Sequence, residues 1–163
     1  MQNIGTFAFV EQERPALVAE IRGSAAYPDV KGTAKLYWLP EGMYGVFELE
    51  GLPPDAVLGF HIHNGLACSA AGDKAAFEAA GGHFSVCSED MQCGRHPYHA
   101  GELPPIFSDE NGRASSQVFT KRTDVSGVSG KPIVVHRMPD DFMSQPAGNS
   151  GIRIACGMLA ENI

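Results

Sequence analysis

Gly32-Thr33-Ala34-Lys35-Leu36-Tyr37-Trp38-Leu39, then Pro40-Glu41-Gly42, then Met43-Tyr44-Gly45-Val46-Phe47-Glu48-Leu49: this run decides the fold class. Successive side chains of a strand point to opposite faces, so Thr33, Lys35 and Tyr37 fall on one face and Ala34, Leu36 and Trp38 on the other. Pro40-Glu41-Gly42 is turn chemistry and Met43–Leu49 has the length of a returning strand, so the stretch predicts a β-hairpin. Upstream, Ala16-Leu17-Val18-Ala19-Glu20-Ile21 predicts a further strand, ended at Gly23-Ser24. Downstream, Gly51-Leu52-Pro53-Pro54 ends the hairpin, and Val57-Leu58-Gly59-Phe60-His61-Ile62-His63 predicts the next strand. Strand text returns at Ala114–Phe119, Pro132–His136 and Ile152–Leu159.

Two stretches carry no such pattern: Asn64 to Pro105 and Arg137 to Gly151. Loops this long inside a compact domain are uncommon and usually functional. Within the first, Asp73 to Ala80 (DKAAFEAA) predicts one or two helical turns. Residues 1–15 read as an N-terminal extension with some strand character at Thr6-Phe7-Ala8-Phe9-Val10, leaving 16–163 as the domain. A chain of 163 residues suits one domain with a sizeable core. Its 19 glycines and 11 prolines agree with many turns. The expectation is an all-β domain, with every histidine at a strand end or in the first long loop.

Composition narrows the partners. A formal net charge of −7 argues against a nucleic-acid surface, where Lys and Arg cluster. It says little about a small anionic substrate, because local charge in a cleft can oppose the net sign. No stretch approaches the roughly 18 apolar residues of a membrane helix, so no membrane partner is expected. MQNIGTFAFVEQERP lacks the basic and apolar regions of a signal peptide. The expected location is the cytoplasm if this N-terminus is native, and the periplasm or the extracellular space otherwise. Cys68, Cys87, Cys93 and Cys156 allow three full pairings, and without an export signal free thiols or a metal site come first.

The chemistry lies in the histidines. His61 and His63, two apart in a strand, point to one face and can meet one metal, although two surface histidines would read the same way. His83 follows Gly81-Gly82, and read alone it is a structural residue. His96-Pro97-Tyr98-His99-Ala100-Gly101-Glu102 sets two imidazoles and a carboxylate at three-residue spacing in a Pro/Gly loop, three of the four ligands of a tetrahedral zinc site. His136 ends the apolar run Ile133-Val134-Val135, with Asp140-Asp141 shortly after. It reads as a satisfied core histidine or as a ligand oriented by a nearby carboxylate. Imidazole suits copper and zinc, and a carboxylate tips one site toward zinc. Six histidines divide between two adjacent sites if one is shared.

In order along the chain, GFHIH (59–63), GGHF (81–84), HPYHAGEL (96–103), VVH (134–136) followed by Asp140-Asp141, and GIRIACG (151–157) resemble the copper/zinc superoxide dismutases, the shorter bacterial type in particular. The resemblance covers roughly Ala16 to Leu159. It implies an eight-stranded Greek-key β-barrel with two long loops carrying the metal site. It further implies conversion of superoxide to dioxygen and hydrogen peroxide by copper alternating between Cu(II) and Cu(I), beside a structural zinc. His61, His63 and His136 would hold copper, with His83 bridging copper and zinc, and His96, His99 and Glu102 completing the zinc site. Asp140 would tie a copper ligand to a zinc ligand, Arg153 would attract the anion beside the copper, and Cys68 and Cys156 would form the family's disulfide.

Three departures qualify that implication. Glu102 stands where the family usually has Asp, which predicts altered zinc affinity. Cys87 and Cys93 are additional and form a local disulfide or remain two thiols. The loop 137–151 is short and, beyond Asp140 and Asp141, poor in charge, which predicts weaker substrate steering. A zinc-binding relative without activity is the alternative reading, and the presence of all four copper-ligand candidates favours the enzyme. Superoxide is the implied substrate. A homodimer and a copper-donor protein are partners the resemblance allows and the sequence does not decide.

Overall fold

The structure, a computed structural model, describes residues 10–69 and 75–163. Its strands are β1 (Leu17–Gly23), β2 (Lys31–Leu39), β3 (Gly42–Glu50), β4 (Val57–Leu58), β5 (Phe60–Ile62), β6 (Ile106–Phe107), β7 (Ala114–Thr120), β8 (Pro132–His136), β9 (Arg153–Met158) and β10 (Ala160–Glu161). The opening hairpin forms as read, with β2 and β3 antiparallel from Lys31↔Glu50 to Leu39↔Gly42. An eight-stranded antiparallel sheet grows around it in the order β5-β8-β9-β1-β2-β3-β7, with β10 also on β1. The chain leaves β3 for the far edge at β5, returns to β7 beside β3, and crosses again to β8. These crossings are Greek-key connectivity. The short pair β4–β6 links the two edges, because β4 runs into β5 and β6 precedes β7.

The predicted strand Val57–His63 is two strands, because the chain changes partners at Gly59: β4 pairs with β6 and β5 with β8. Gly59 itself donates to the Met138 carbonyl at 2.9 Å and accepts from the His136 amide at 2.8 Å. Of the predicted helical turns at Asp73–Ala80, the first two residues lie outside the described segments, and the rest forms a single 3₁₀ turn, Glu78–Ala80. The strand character at Thr6–Val10 likewise falls outside them, apart from Val10. Among the described residues two short helical pieces went unread: a 3₁₀ turn at Gln92–Gly94, and α1 (Val125–Val128), capped by the Asp124 carboxylate accepting from the Gly127 amide at 2.8 Å. No helix among the described residues is long and apolar enough to cross a membrane.

Alternation builds the core. Leu17, Ala19 and Ile21 of β1, Ala34 and Leu36 of β2, and Phe47 and Leu49 of β3 are buried together, with Phe47 edge-on to Phe60 at 4.9 Å between ring centres. The expected face breaks at the end of β2, where Tyr37 is buried against Tyr44 and Trp38 is exposed. β8 is buried at every residue. Ile133 and Val135 face the core, while Val134 belongs to a second cluster with Cys156 and Ala80, against which Cys68 and Phe77 pack. The first long loop therefore covers the outer face of β8 and β9.

Candidate metal centre

That covered face holds the histidines. His61 is the cross-strand partner of Val134, so the two share a side, and His136 is two residues further along β8. Just beyond β5, His63 forms an isolated antiparallel bridge with His83, which draws the loop histidine onto the strand pair. All six imidazoles are buried. The ring centres of His61 and His83 are 4.0 Å apart, those of His63 and His136 5.2 Å, and those of His83 and His99 5.5 Å. Two groups result, each with ligand atoms within 4.8 Å of one another: His61, His63, His83 and His136 in one, and His83, His96, His99 and Glu102 in the other. His83 belongs to both.

Hydrogen bonds fix the tautomers, because a carboxylate or a carbonyl can only accept. His61 Nε2 donates to Asp140 Oδ2 at 2.8 Å and His63 Nδ1 to the Gly81 carbonyl at 2.8 Å. The lone pairs of these two rings are thus at His61 Nδ1 and His63 Nε2. His63 Nε2 lies 3.0 Å from His136 Nε2, and with His136 Nδ1 turned to the Gly151 carbonyl at 3.4 Å these are two imidazole nitrogens with no donor between them. On the other side, Nδ1 of His83 at 2.9 Å, of His96 at 3.0 Å and of His99 at 2.8 Å all lie against one oxygen, Glu102 Oε1. Asp140 joins the groups, since its Oδ1 accepts from His96 Nε2 at 2.8 Å.

Among the described residues, three buried side-chain atoms lack a hydrogen-bond partner, and all three are here: His61 Nδ1, His83 Nε2 and Glu102 Oε2. A buried polar atom without a partner is costly, and so is the abutment of two imidazole nitrogens. A cation placed among the four-histidine nitrogens would relieve both. In neutral rings His96 and His99 have already given their N–H from Nε2, to Asp140 and to the Gly94 carbonyl, so their Nδ1 lone pairs crowd Glu102 Oε1, and a second cation placed among them would relieve this as well. The donor sets fit copper and zinc: four imidazoles in one pocket, three imidazoles and a carboxylate in the other.

Electrostatics agrees with this fit. Burial, then the facing His61, holds His136 down at about 3, and burial with the neighbouring His136 and His83 puts His63 well below its ordinary value. These rings stay neutral and able to ligate at neutral pH. For Glu102 burial pushes upward, but the His83 hydrogen bond and the charges of His83 and His61 outweigh it and hold the carboxyl at about 2.

Arg153, across from His136 in the β8–β9 ladder, is half-buried. Its guanidinium donates through Nη1 to the Phe77 carbonyl at 2.6 Å and through Nη2 to the Gly81 carbonyl. Gly81 thus carries both Arg153 and His63 on one oxygen. Cys68 and Cys156 are joined in a disulfide that fastens this loop to β9, and Cys87 is joined to Cys93. Three supports have no sequence signal. Gln145 makes both backbone bonds of His96, accepting from its amide at 3.1 Å and donating to its carbonyl at 2.6 Å. Arg122 donates to the Pro97 carbonyl, and the Gly94 carbonyl accepts from His99 Nε2 at 3.1 Å.

Residues 30–159 match the family model described as copper/zinc superoxide dismutase. The chain belongs to the copper/zinc superoxide dismutase family. It is 37% identical over 141 residues to the copper/zinc superoxide dismutase of Deinococcus radiodurans, covering 80% of this chain and 77% of that one. The structure of the Brucella abortus Cu/Zn superoxide dismutase superposes with a TM-score of 0.73 at 25% identity, over 86% of this chain and 97% of the other. A superoxide dismutase-like protein from Bacillus subtilis superposes with a TM-score of 0.69 at 26% identity, over 86% and 96%. In this member of the superoxide dismutase family the two donor groups and their carboxylate link all sit outside the sheet, under the two long loops.

Proposed function

We propose that the protein disproportionates superoxide to dioxygen and hydrogen peroxide, with copper held by His61, His63, His83 and His136 and zinc by His83, His96, His99 and Glu102. The observation that carries this reading is the split environment of one ring. His83 Nδ1 is committed to the Glu102 pocket, and its Nε2 is buried without a partner and shared with the four-histidine group.

Copper supplies reversible one-electron chemistry, oxidising one superoxide and reducing the next. The chain's own residues prepare the place for it. Asp140 fixes His61 and His96 in one orientation from a single carboxylate, so that their Nδ1 atoms face the two pockets. The Gly81 carbonyl does the same for His63. Arg153 brings a half-buried positive charge beside His136 in a chain of net charge −7, where a small anion gains from a local field opposed to the total. The two disulfides support an oxidising compartment, periplasmic or extracellular.

Metal analysis of the purified protein, paired with a superoxide-decay assay, tests the proposal. One copper and one zinc per chain with rapid decay is the expected result. Zinc alone after copper loading, with no activity, would overturn it in favour of a non-catalytic relative.

A further inference from the structure

Glu102 Oε2 has no part in the zinc pocket described above, because Oε1 alone meets the three Nδ1 atoms. Oε2 is buried, makes no hydrogen bond and lies 3.6 Å from His61 Nε2, the atom that donates to Asp140. His61 and Glu102 are partners in an isolated antiparallel bridge, so the backbone itself sets the two side chains next to each other. His61, Glu102 and Asp140 form a third close group of ligand-type atoms.

Resting on the two-metal reading, we propose that Glu102 is a positioning residue for the copper pocket as well as a ligand of the zinc pocket. At 3.6 Å its second oxygen is beyond a direct hydrogen bond and acts through its charge. Two carboxylate oxygens then face one imidazole N–H. They hold the proton on His61 Nε2 and keep the lone pair on Nδ1, the atom that has no hydrogen-bond partner among the described residues. In this structure the arm of Glu102 puts one oxygen at the three Nδ1 atoms and the other beside His61. The length of Glu at this position therefore lets one residue serve both pockets.

The test uses Glu102→Asp, Glu102→Gln and Asp140→Asn in the full chain. The readouts are zinc and copper affinities by chelator competition, and the His61 Nε2–H proton resonance of the zinc- and Cu(I)-loaded protein, with its rate of exchange with solvent. Glu102→Asp is expected to retain zinc while weakening copper about tenfold and speeding Nε2–H exchange by a similar factor. Glu102→Gln, which keeps the length without the charge, is expected to speed exchange as well, so the inference remains testable if the shorter variant fails to fold. In an Asp140→Asn background the Glu102→Asp effect on exchange should grow, because Glu102 is then the remaining anion at His61. Altered zinc affinity with unchanged copper affinity and unchanged His61 exchange would overturn the inference, as would equal effects in both backgrounds. Wild-type protein that loads neither metal would instead refute the two-metal reading itself.

Discussion

Gly148→Ala tests whether the carboxylate link between the two pockets depends on a bare Cα above it. Gly148 has φ of +67°, and a Cβ there would lie 2.0 Å from Asp140 Oδ1 and 2.7 Å from His96 Nε2. Both neighbours are fixed: Oδ1 accepts from His96 and from the Phe142 amide at 2.7 Å, and the His96 backbone is held by Gln145. The left-handed conformation alone costs an alanine about 1–2 kcal/mol. Displacing Asp140 from His96 costs a further ~1.5–3 kcal/mol, the range for a hydrogen bond to a charged group. Gly130→Ala separates the two, since Gly130 has φ of +75° with nothing within 4 Å of the added carbon. In a domain of this size each kcal/mol moves Tm by about 2–4 °C. Gly148→Ala should therefore melt roughly 3–12 °C below Gly130→Ala in calorimetry of the metal-free proteins. It alone should also weaken copper and zinc by about 10–100-fold in chelator competition. Equal melting and equal metal affinity in the two variants would refute the reasoning.

Replacing Cys87 and Cys93 by Ser is expected to lower zinc affinity about tenfold with little change in the melting of the barrel, because that bridge shapes the turn whose Gly94 carbonyl orients His99. Chelator competition and calorimetry read the two quantities separately. Arg153→Ala should slow superoxide decay and flatten its salt dependence while the metals stay bound. Arg153→Lys should keep the salt slope but loosen residues 77–81 in hydrogen exchange, since an ammonium cannot span two carbonyls as the planar fork does. In the metal-free protein His136, held at about 3 against an ordinary 6.5, refuses a proton that the unfolded chain accepts. Its contribution to stability is present above pH 6.5 and is lost on acidification toward 3, about 2 kcal/mol of it by pH 5. Urea titrations at pH 7.5 and 5.0 check the sign, and equal or greater stability at pH 5.0 would contradict it.

The range of each interaction determines whether the sequence discloses it. The β2–β3 hairpin is legible because alternation and a Pro-Glu-Gly turn are local properties. The boundaries of β8 are legible for the same reason, as an apolar run between a proline and a histidine. The break at Gly59 is not, since it arises from a change of partner between β6 and β8, more than 40 residues downstream. The candidate ligands stand out as histidines in unusual surroundings, but their supports do not: Gln145 meets His96 across 49 residues, and Gly148 matters only because Asp140 and His96 lie above it. The pairing of Cys87 with Cys93 stayed open in the sequence because spacing alone does not distinguish a local bridge from two thiols, and the structure closes it.

The division of labour between strands and loops explains why the centre needs such supports. His61 and His136 are placed by ladder register, and their positions come with the sheet. His83, His96, His99, Glu102 and Asp140 come from segments with almost no regular structure, whose order cannot derive from a hydrophobic face of their own. Pins replace that face: the Cys68–Cys156 bridge and Arg153 on the segment before His83, Gln145 and Arg122 around His96 and His99, and Asp140 between the two groups. Apart from the disulfide, each pin ends on a backbone carbonyl, a backbone amide or a ring nitrogen, so each fixes an orientation as well as a distance. The loop also reaches the strand-borne pair, since the Gly81 carbonyl that Arg153 grips accepts from His63 Nδ1 and turns its Nε2 toward His136. The disulfides and arginines that look peripheral to the chemistry therefore belong to the site, because they orient the loop-borne side chains around the strand-borne ones.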